Sequence, residues 1–422
     1  MLIEFSVANF RSFWELQKLS LTATSHKDLL ENNTYESPVS SLPRLLRSAV
    51  IYGPNAGGKS NFIQAMDFVK KFVISSAKEL QEGEEIAVDP FLFNQFGPTR
   101  SSEFEVQFIQ EGVRYQYGFA VAKKRVTNEW LIAYPEGRAQ RWFERTFQSD
   151  SNDYQWYFGS RFIGRKKQWQ EMTRSNALFL STAIQWNSEQ LKPVFTWFQR
   201  LFIISHDTVL HPIYSMNACH DDEKKKQILA FMNEADISIS DIQMEIKDFS
   251  SEDLPSDMPK EIKEDIRRRL DGKKMTKVGF LHSIDGGDSQ VSLSIDDESD
   301  GTKKLFAYAG PWLDMLSKGR IIIADELDNS LHPKIMRYLL ALFHSDKTNS
   351  KNGQLIFTTH DTSLLDQDLV RRDQVWFVEK DRSNASYLYP LTDFKPRAGE
   401  ALQKGYLSGR YGALPYTSEA NH

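Results

Sequence analysis

The chain has 422 residues, 40% hydrophobic and 26% charged, with a net charge of −5 and a single cysteine. That length exceeds one compact core and calls for two or three domains of ordinary globular composition. The absence of any run of eighteen apolar residues excludes a membrane span; the start MLIEFSVANF has no signal character, and Cys219 alone can build neither an internal disulfide nor a four-cysteine zinc site, so a cytoplasmic protein is expected.

Leu2–Ala8 alternates apolar and polar residues, as an edge or half-buried strand does. Ser48–Tyr52 (SAVIY) is a short apolar strand that ends in Gly53. From Lys59 to about Ser76 the apolar spacing is helical, with Phe62, Ile63, Met66, Val69 and Val73 on one face. Residues 103–132 read as successive strands rich in β-branched and aromatic residues. A helical segment around 186–200 and a strand at Leu201–Ser205 follow. Residues 217–275 are strongly charged, with two helical runs (DDEKKKQILAFMNEA and KEIKEDIRRRL) around a Pro- and Ser-containing break, and read as an inserted helical subdomain or lid. Buried strands resume at Ile321–Ala324, Leu355–Thr358 and Val375–Val378. The organisation is thus α/β: an N-terminal lobe over 1–216, a helical insertion over 217–276 and a C-terminal lobe over 277–422.

Gly53-Pro54-Asn55-Ala56-Gly57-Gly58-Lys59-Ser60 fits G-x-x-x-x-G-K-[ST] in full, with an apolar strand before it and an amphipathic helix after it. Glycines let the loop curl so that its N–H groups, from Asn55 through Gly58, face phosphate oxygens, and the helix N-terminus adds a favourable dipole. Lys59 would reach the β- and γ-phosphates of ATP, and Ser60 would coordinate Mg²⁺. Far along the chain, the strand at Ile321 ends in Asp325-Glu326. Asp325 is placed to hold the magnesium through its water shell, and Glu326 to polarise the attacking water.

Around this pair lie Glu298-Ser299-Asp300-Gly301-Thr302 before the strand, Leu327-Asp328-Asn329-Ser330-Leu331-His332-Pro333 after it, and Thr358-Thr359-His360-Asp361 after the next strand. The order resembles the ATPase heads of the ABC superfamily. The resemblance implies an ABC-type P-loop ATPase head with an antiparallel β subdomain and an inserted helical lid subdomain. It also implies that Ser299 and Gly301 contact the γ-phosphate of an opposite chain, that Asp328 crosses the dimer interface, and that His360 senses the γ-phosphate. His332, before Pro333, reads as a turn or cap residue. SDGT stands where transporters carry LSGGQ, which argues against a transporter.

The opening LIEFSVANFRSF, the middle ALFLSTAIQWN, and the later DELDNSLHP, FTTHDTSLLD, RRDQVWFVEKD and YLSGRYGALP are similar to the ATPases of bacterial phage-defence and abortive-infection operons, the RloA-like group related to overcoming-lysogenization-defect, RecF and SMC heads. By that resemblance Arg11 is the basic residue near the nucleotide and Gln185 the glutamine that couples the lid to magnesium. About forty residues follow Glu379, too few for the metal-dependent nuclease domain that some relatives carry. Three functions compete. The first is an ATP-driven sensor or switch in antiviral defence, self-associating head to head and controlling an effector nuclease or toxin in trans. The second is a RecF-like DNA repair ATPase. The third is a nucleotide-gated scaffold that sequesters a partner, against which Glu326 argues. Basic runs such as Arg165-Lys166-Lys167 read first as solvated faces, and nucleic-acid contact through one of them stays open.

Overall fold

The computed structural model describes all residues except 41, 206–209, 236, 249–262, 265–266, 269–273, 285–288, 330 and 416–422. The chain packs as two units, one of residues 1–209, 315–329 and 336–422, the other of residues 210–314 and 330–335. Among the described residues no helix is long and apolar enough to cross a membrane.

Among the described residues the first unit holds two large sheets and a small two-stranded one, Thr34–Tyr35 with Leu45–Leu46. One has seven antiparallel strands in the spatial order Asp153–Phe158, Gln140–Gln148, Arg125–Tyr134, Val113–Ala122, Ser102–Gln110, Leu2–Ala8 and Gln17–Ser20. Leu2–Ala8 is therefore not an edge strand, and apart from the half-buried Glu4 it is buried on both faces, polar Ser6 included. The alternation is real, but both faces are roofed. On one side Phe5 meets Phe62 edge-on, with ring centroids 5.4 Å apart.

The other sheet runs Leu201–Ile204, Ile321–Ala324, Gln354–Thr358, Ser48–Tyr52, Val375–Lys380 and Ser386–Pro390. Its first five strands are parallel, and the last returns antiparallel, a strand the sequence reading did not anticipate. Parallel strands covered on both faces need continuous apolar runs, and SAVIY and IIIA supply them, fully buried. The helix Lys59–Glu79 leaves the Ser48–Tyr52 strand through the glycine-rich loop and buries Phe62, Ile63, Met66, Val69, Phe72 and Val73. Glycine-rich loop, acidic pair and histidine thus all lie at the carboxyl ends of parallel strands, where open α/β sheets hold ligands.

The second unit is a three-stranded antiparallel sheet, Asp241–Asp248, Lys274–Ser283 and Gln290–Ser294, with the helices Ile213–Ala218 and Asp222–Glu234 and residues 300–314 of the helix Asp300–Lys318. Phe280 of the sheet packs edge-on against Phe306 of the last helix, at 5.1 Å. The segment expected as a helical insertion, 217–276, contains a helix and also strands. Ile242, Met244 and Ile246 alternate at period two among charged residues, and the charges disguised the strand. Most of the second expected helical run, 260–270, lies outside the described residues. Ser215 Oγ accepts from Gly310 N at 2.9 Å and donates to Phe306 O at 2.5 Å, inserting into the ladder of the Asp300–Lys318 helix beside Pro311.

Candidate functional site

The glycine-rich loop turns as its sequence demands. Gly58 has φ 120 and Ala56 φ 61, and a Cβ on Gly53 would lie 2.2 Å from the carbonyl oxygen of Val378. Residues Pro54–Ala56 and Gly58–Asn61, together with Glu326 and Lys380, line a cavity of about 400 Å³. Asn55, Ala56, Gly58, Lys59 and Ser60 therefore converge as expected, while Gly57 sits behind them, its carbonyl held by the Ser386 hydroxyl at 2.7 Å.

Lys59 is buried, and its ammonium donates to the carbonyls of Gly53 at 2.7 Å and Pro54 at 3.2 Å. Burial lowers its proton affinity, against the opposing pull of Glu326, Asp325 and Asp328. Burial outweighs the three carboxylates, so the net direction is downward.

Asp325 ends its strand buried, its backbone N–H bonded to Ile204 O at 2.8 Å. Thr358, at the tip of the neighbouring strand, donates its hydroxyl to Asp325 Oδ1 at 2.6 Å and accepts from Glu326 N at 2.7 Å. Glu326 has φ 47, in the left-handed region that non-glycine residues rarely adopt. That turn aims its side chain away from the strand and into the cavity. The Ser60 hydroxyl and the Asp325 carboxylate are hard oxygen donors of the kind magnesium prefers.

His360 Nε2 stands 4.0 Å from Glu326 Oε1, and its backbone N–H donates to Asp328 Oδ2 at 3.1 Å. Burial and the Lys59 charge lower its proton affinity below the usual histidine range, opposed by Asp328, Glu326 and Asp325. A neutral imidazole carries one N–H, which is what donation to a phosphate oxygen needs.

Arg11 (φ 50) is tethered beside the helix of the phosphate loop. Its guanidinium meets Asp89 Oδ2 at 3.0 Å and donates to Gln64 of that helix, and it does not line the cavity. The next residue, Ser12, takes the more direct part: Ser12 Oγ accepts from Asn61 at 2.8 Å and lies 2.8 Å from Ser386 Oγ. Gln185 ends the helix Phe179–Gln185, exposed and outside the cavity lining. The strand alongside the acidic one is Leu201–Ile204, so chain leaving the sheet next to Asp325 begins at Ser205 and continues into residues 206–209, which lie outside the described residues.

In the second unit Ser299 Oγ accepts from Thr302 N at 3.1 Å and lies 2.8 Å from Thr302 Oγ1. The serine caps the helix Asp300–Lys318 and leaves Ser299 exposed and Gly301 partly so at a helix N-terminus. His332 Nδ1 accepts from Lys334 N at 3.2 Å at the start of the helix Pro333–His344, a capping arrangement.

A family model described as "AAA domain, putative AbiEii toxin, Type IV TA system" matches residues 48–366, more than half of the chain. The chain belongs to this family. Its fold is α/β, with the helix of the glycine-rich loop leaving a mostly parallel six-stranded sheet that lies in one unit with a seven-stranded antiparallel sheet. Among solved structures this AAA-domain protein is similar to the SMC head domain from Thermotoga maritima, at 14% identity over 92% of this chain and 98% of that one, with a TM-score of 0.41. It is also similar to an SMC head bound to the C-winged helix domain of ScpA (12% identity, 92% and 96% covered, TM-score 0.43). A third is the recombination mediator RecF with ATP, in the RecFOR pathway (14% identity, 86% and 94% covered, TM-score 0.34). No curated protein matches the chain.

Proposed function

We propose that this protein binds and hydrolyses Mg-ATP, and that two chains must associate for turnover. The observation that carries the reading is the shared cavity. The phosphate loop and Glu326 line one space, although 266 positions separate Lys59 from Glu326 along the chain (326 minus 59, less one).

In this reading the loop N–H groups and Lys59 hold the β- and γ-phosphates. Bound magnesium, held by Ser60 and Asp325, would neutralise charge on the phosphate oxygens. Glu326 orients and polarises the attacking water, and His360 donates to the γ-phosphate. Each unit brings one half of the chemistry, since the Ser299–Gly301 helix start of one chain would face the phosphate site of another. Support for that last step is the capped, exposed helix N-terminus and its match to the signature position of ABC heads.

At the level of the cell, we infer an ATP-driven switch in antiviral defence that governs an effector nuclease or toxin in trans. The family's description as a type IV toxin–antitoxin component favours defence over housekeeping repair. The test is Glu326→Gln. It should bind ATP, accumulate as an ATP-dependent dimer in sedimentation, and turn over at least about 100-fold more slowly than the parent. A parent chain without ATP turnover, together with identical sedimentation of the variant, would sink the reading.

A further inference from the structure

Lys380 was selected by no motif, yet it lines the same cavity as Lys59 and Glu326. It ends the Val375–Lys380 strand, which runs parallel to the strand feeding the phosphate loop, with Phe377 in register with Tyr52. The loop backbone rests directly on this strand: a Cβ on Gly53 would strike Val378 O at 2.2 Å, and one on Gly57 would lie 3.1 Å from the same oxygen. Lys380 follows two residues later. Its cross-strand partner is Ser386, whose hydroxyl holds Gly57 O at 2.7 Å.

The lysine is thus fixed at its backbone to the element that shapes the loop, while its side chain is exposed and makes no ion pair among the described residues. The neighbouring acids are otherwise engaged. Glu379 accepts from Ala413 N at 2.7 Å, and Asp381 is satisfied by Ser383 and Ala385. Lys59 meanwhile approaches the cavity from the helix side.

We propose that Lys380 is a second phosphate-binding cation, reaching the phosphate chain of the nucleotide from the strand beside the one that feeds the loop. The proposal rests on the reading of this cavity as a nucleotide site. An exposed lysine on a rigid strand suits that task, because its flexible stem can follow the phosphates while its base stays fixed. Charge-assisted hydrogen bonds to phosphate are the strong kind.

The test is calorimetric titration of the full chain with Mg-ATP, Mg-ADP and inorganic tripolyphosphate, for the parent, Lys380→Ala, Lys380→Arg and Lys59→Ala. Lys380→Ala should weaken all three ligands by roughly 10-fold or more, with an unchanged melting temperature because the side chain is exposed. Tripolyphosphate, which has neither base nor ribose, should lose as large a factor as ATP, and Lys380→Arg should recover most of it. Parent-like affinity in Lys380→Ala, with binding lost in Lys59→Ala, would overturn the proposal while leaving the nucleotide site intact. A loss confined to ATP and ADP would also overturn it, by assigning the lysine to base or ribose. Parent-like affinity in Lys59→Ala would instead bring down the nucleotide reading itself.

Discussion

Thr358 Oγ1 stands 2.6 Å from Asp325 Oδ1 and 2.7 Å from the backbone nitrogen of Glu326, so one buried hydroxyl ties together both carboxylate-bearing residues of the acidic strand. It fixes the aspartate's orientation and holds the chain in the left-handed turn that Glu326 requires. Thr358→Val keeps the shape and removes the hydroxyl. On the proposal that Asp325 holds magnesium, a partner of this kind behind the carboxylate is worth about 10–100-fold in activity. The expected result is a turnover loss of that size, with ATP affinity within about threefold of the parent. Leaving the Glu326 N–H unsatisfied should also cost about 1–3 kcal/mol in denaturant unfolding. Steady-state kinetics at saturating ATP decides the matter, and unchanged turnover would contradict it.

Tyr52 precedes the phosphate loop and reaches the histidine loop. Its hydroxyl donates to Asp361 O at 3.1 Å, and its ring packs on Tyr406 and Phe377, with centroids 5.7 and 6.3 Å away. Gln403, one turn from Tyr406, donates to Thr362 Oγ1 at 3.0 Å. The C-terminal segment therefore braces the residues that follow His360. Tyr52→Phe retains the ring contacts, so stability should fall by no more than about 1 kcal/mol. Turnover should fall several-fold while ATP affinity holds, because the histidine loop loses its tie to the phosphate strand. Equal turnover in both proteins would show the hydroxyl to be packing detail.

His344 predicts acid sensitivity. It is buried, 2.9 Å from Ser48 Oγ and 3.3 Å from Gln374 Nε2; burial and the nearby Arg47 charge lower its pKa from 6.5 to about 3. Between those values the unfolded chain binds a proton that the folded chain does not. Stability attributable to this group is therefore complete above pH 6.5 and declines as pH falls, at a slope approaching about 1.4 kcal/mol per pH unit. His344→Asn should flatten the decline between pH 6.5 and 4.5, measured as urea midpoints. Parallel curves for the two proteins would refute it.

The glycine-rich loop, the acidic strand and the histidine were legible because each is a contiguous motif set on a strand or helix whose own periodicity is plain. Ser12, Ser386 and Lys380 were not. Ser12 and Ser386 lie 374 positions apart, and nothing near either marks it as a clamp on Gly57. Thr358 could have been found: it is the last residue of the strand that carries His360, and a hydroxyl there faces the adjacent strand end. The Arg11 assignment met a local competitor, since Asp89 and Gln64 already take its guanidinium. Gln185 sits in a stretch whose helix is fixed by Ser181 bonding to Val73 O at 2.6 Å, a packing role on the phosphate-loop helix. The strand at Asp241–Asp248 was hidden because polar residues, Asp241, Gln243, Glu245 and Lys247, alternate with its apolar ones, and such a pattern is easily lost among the charged helical runs on either side.

If two chains complete each nucleotide site, two variants that are inactive alone must complement one another when mixed. Lys59→Ala and Ser299→Arg should each abolish ATP turnover alone, the first by losing phosphate binding and the second by blocking the partner's site while still binding ATP. In a mixed dimer, the Lys59 of the Ser299→Arg chain faces the intact Ser299 of the Lys59→Ala chain, and one working site returns. Mixing equal amounts of the two inactive variants should restore roughly a quarter of parental turnover per chain, if subunits exchange freely and the restored site works independently. Mixtures as inactive as the separate variants, with exchange confirmed by a labelled subunit, would contradict the shared site, as would full turnover by a chain held monomeric.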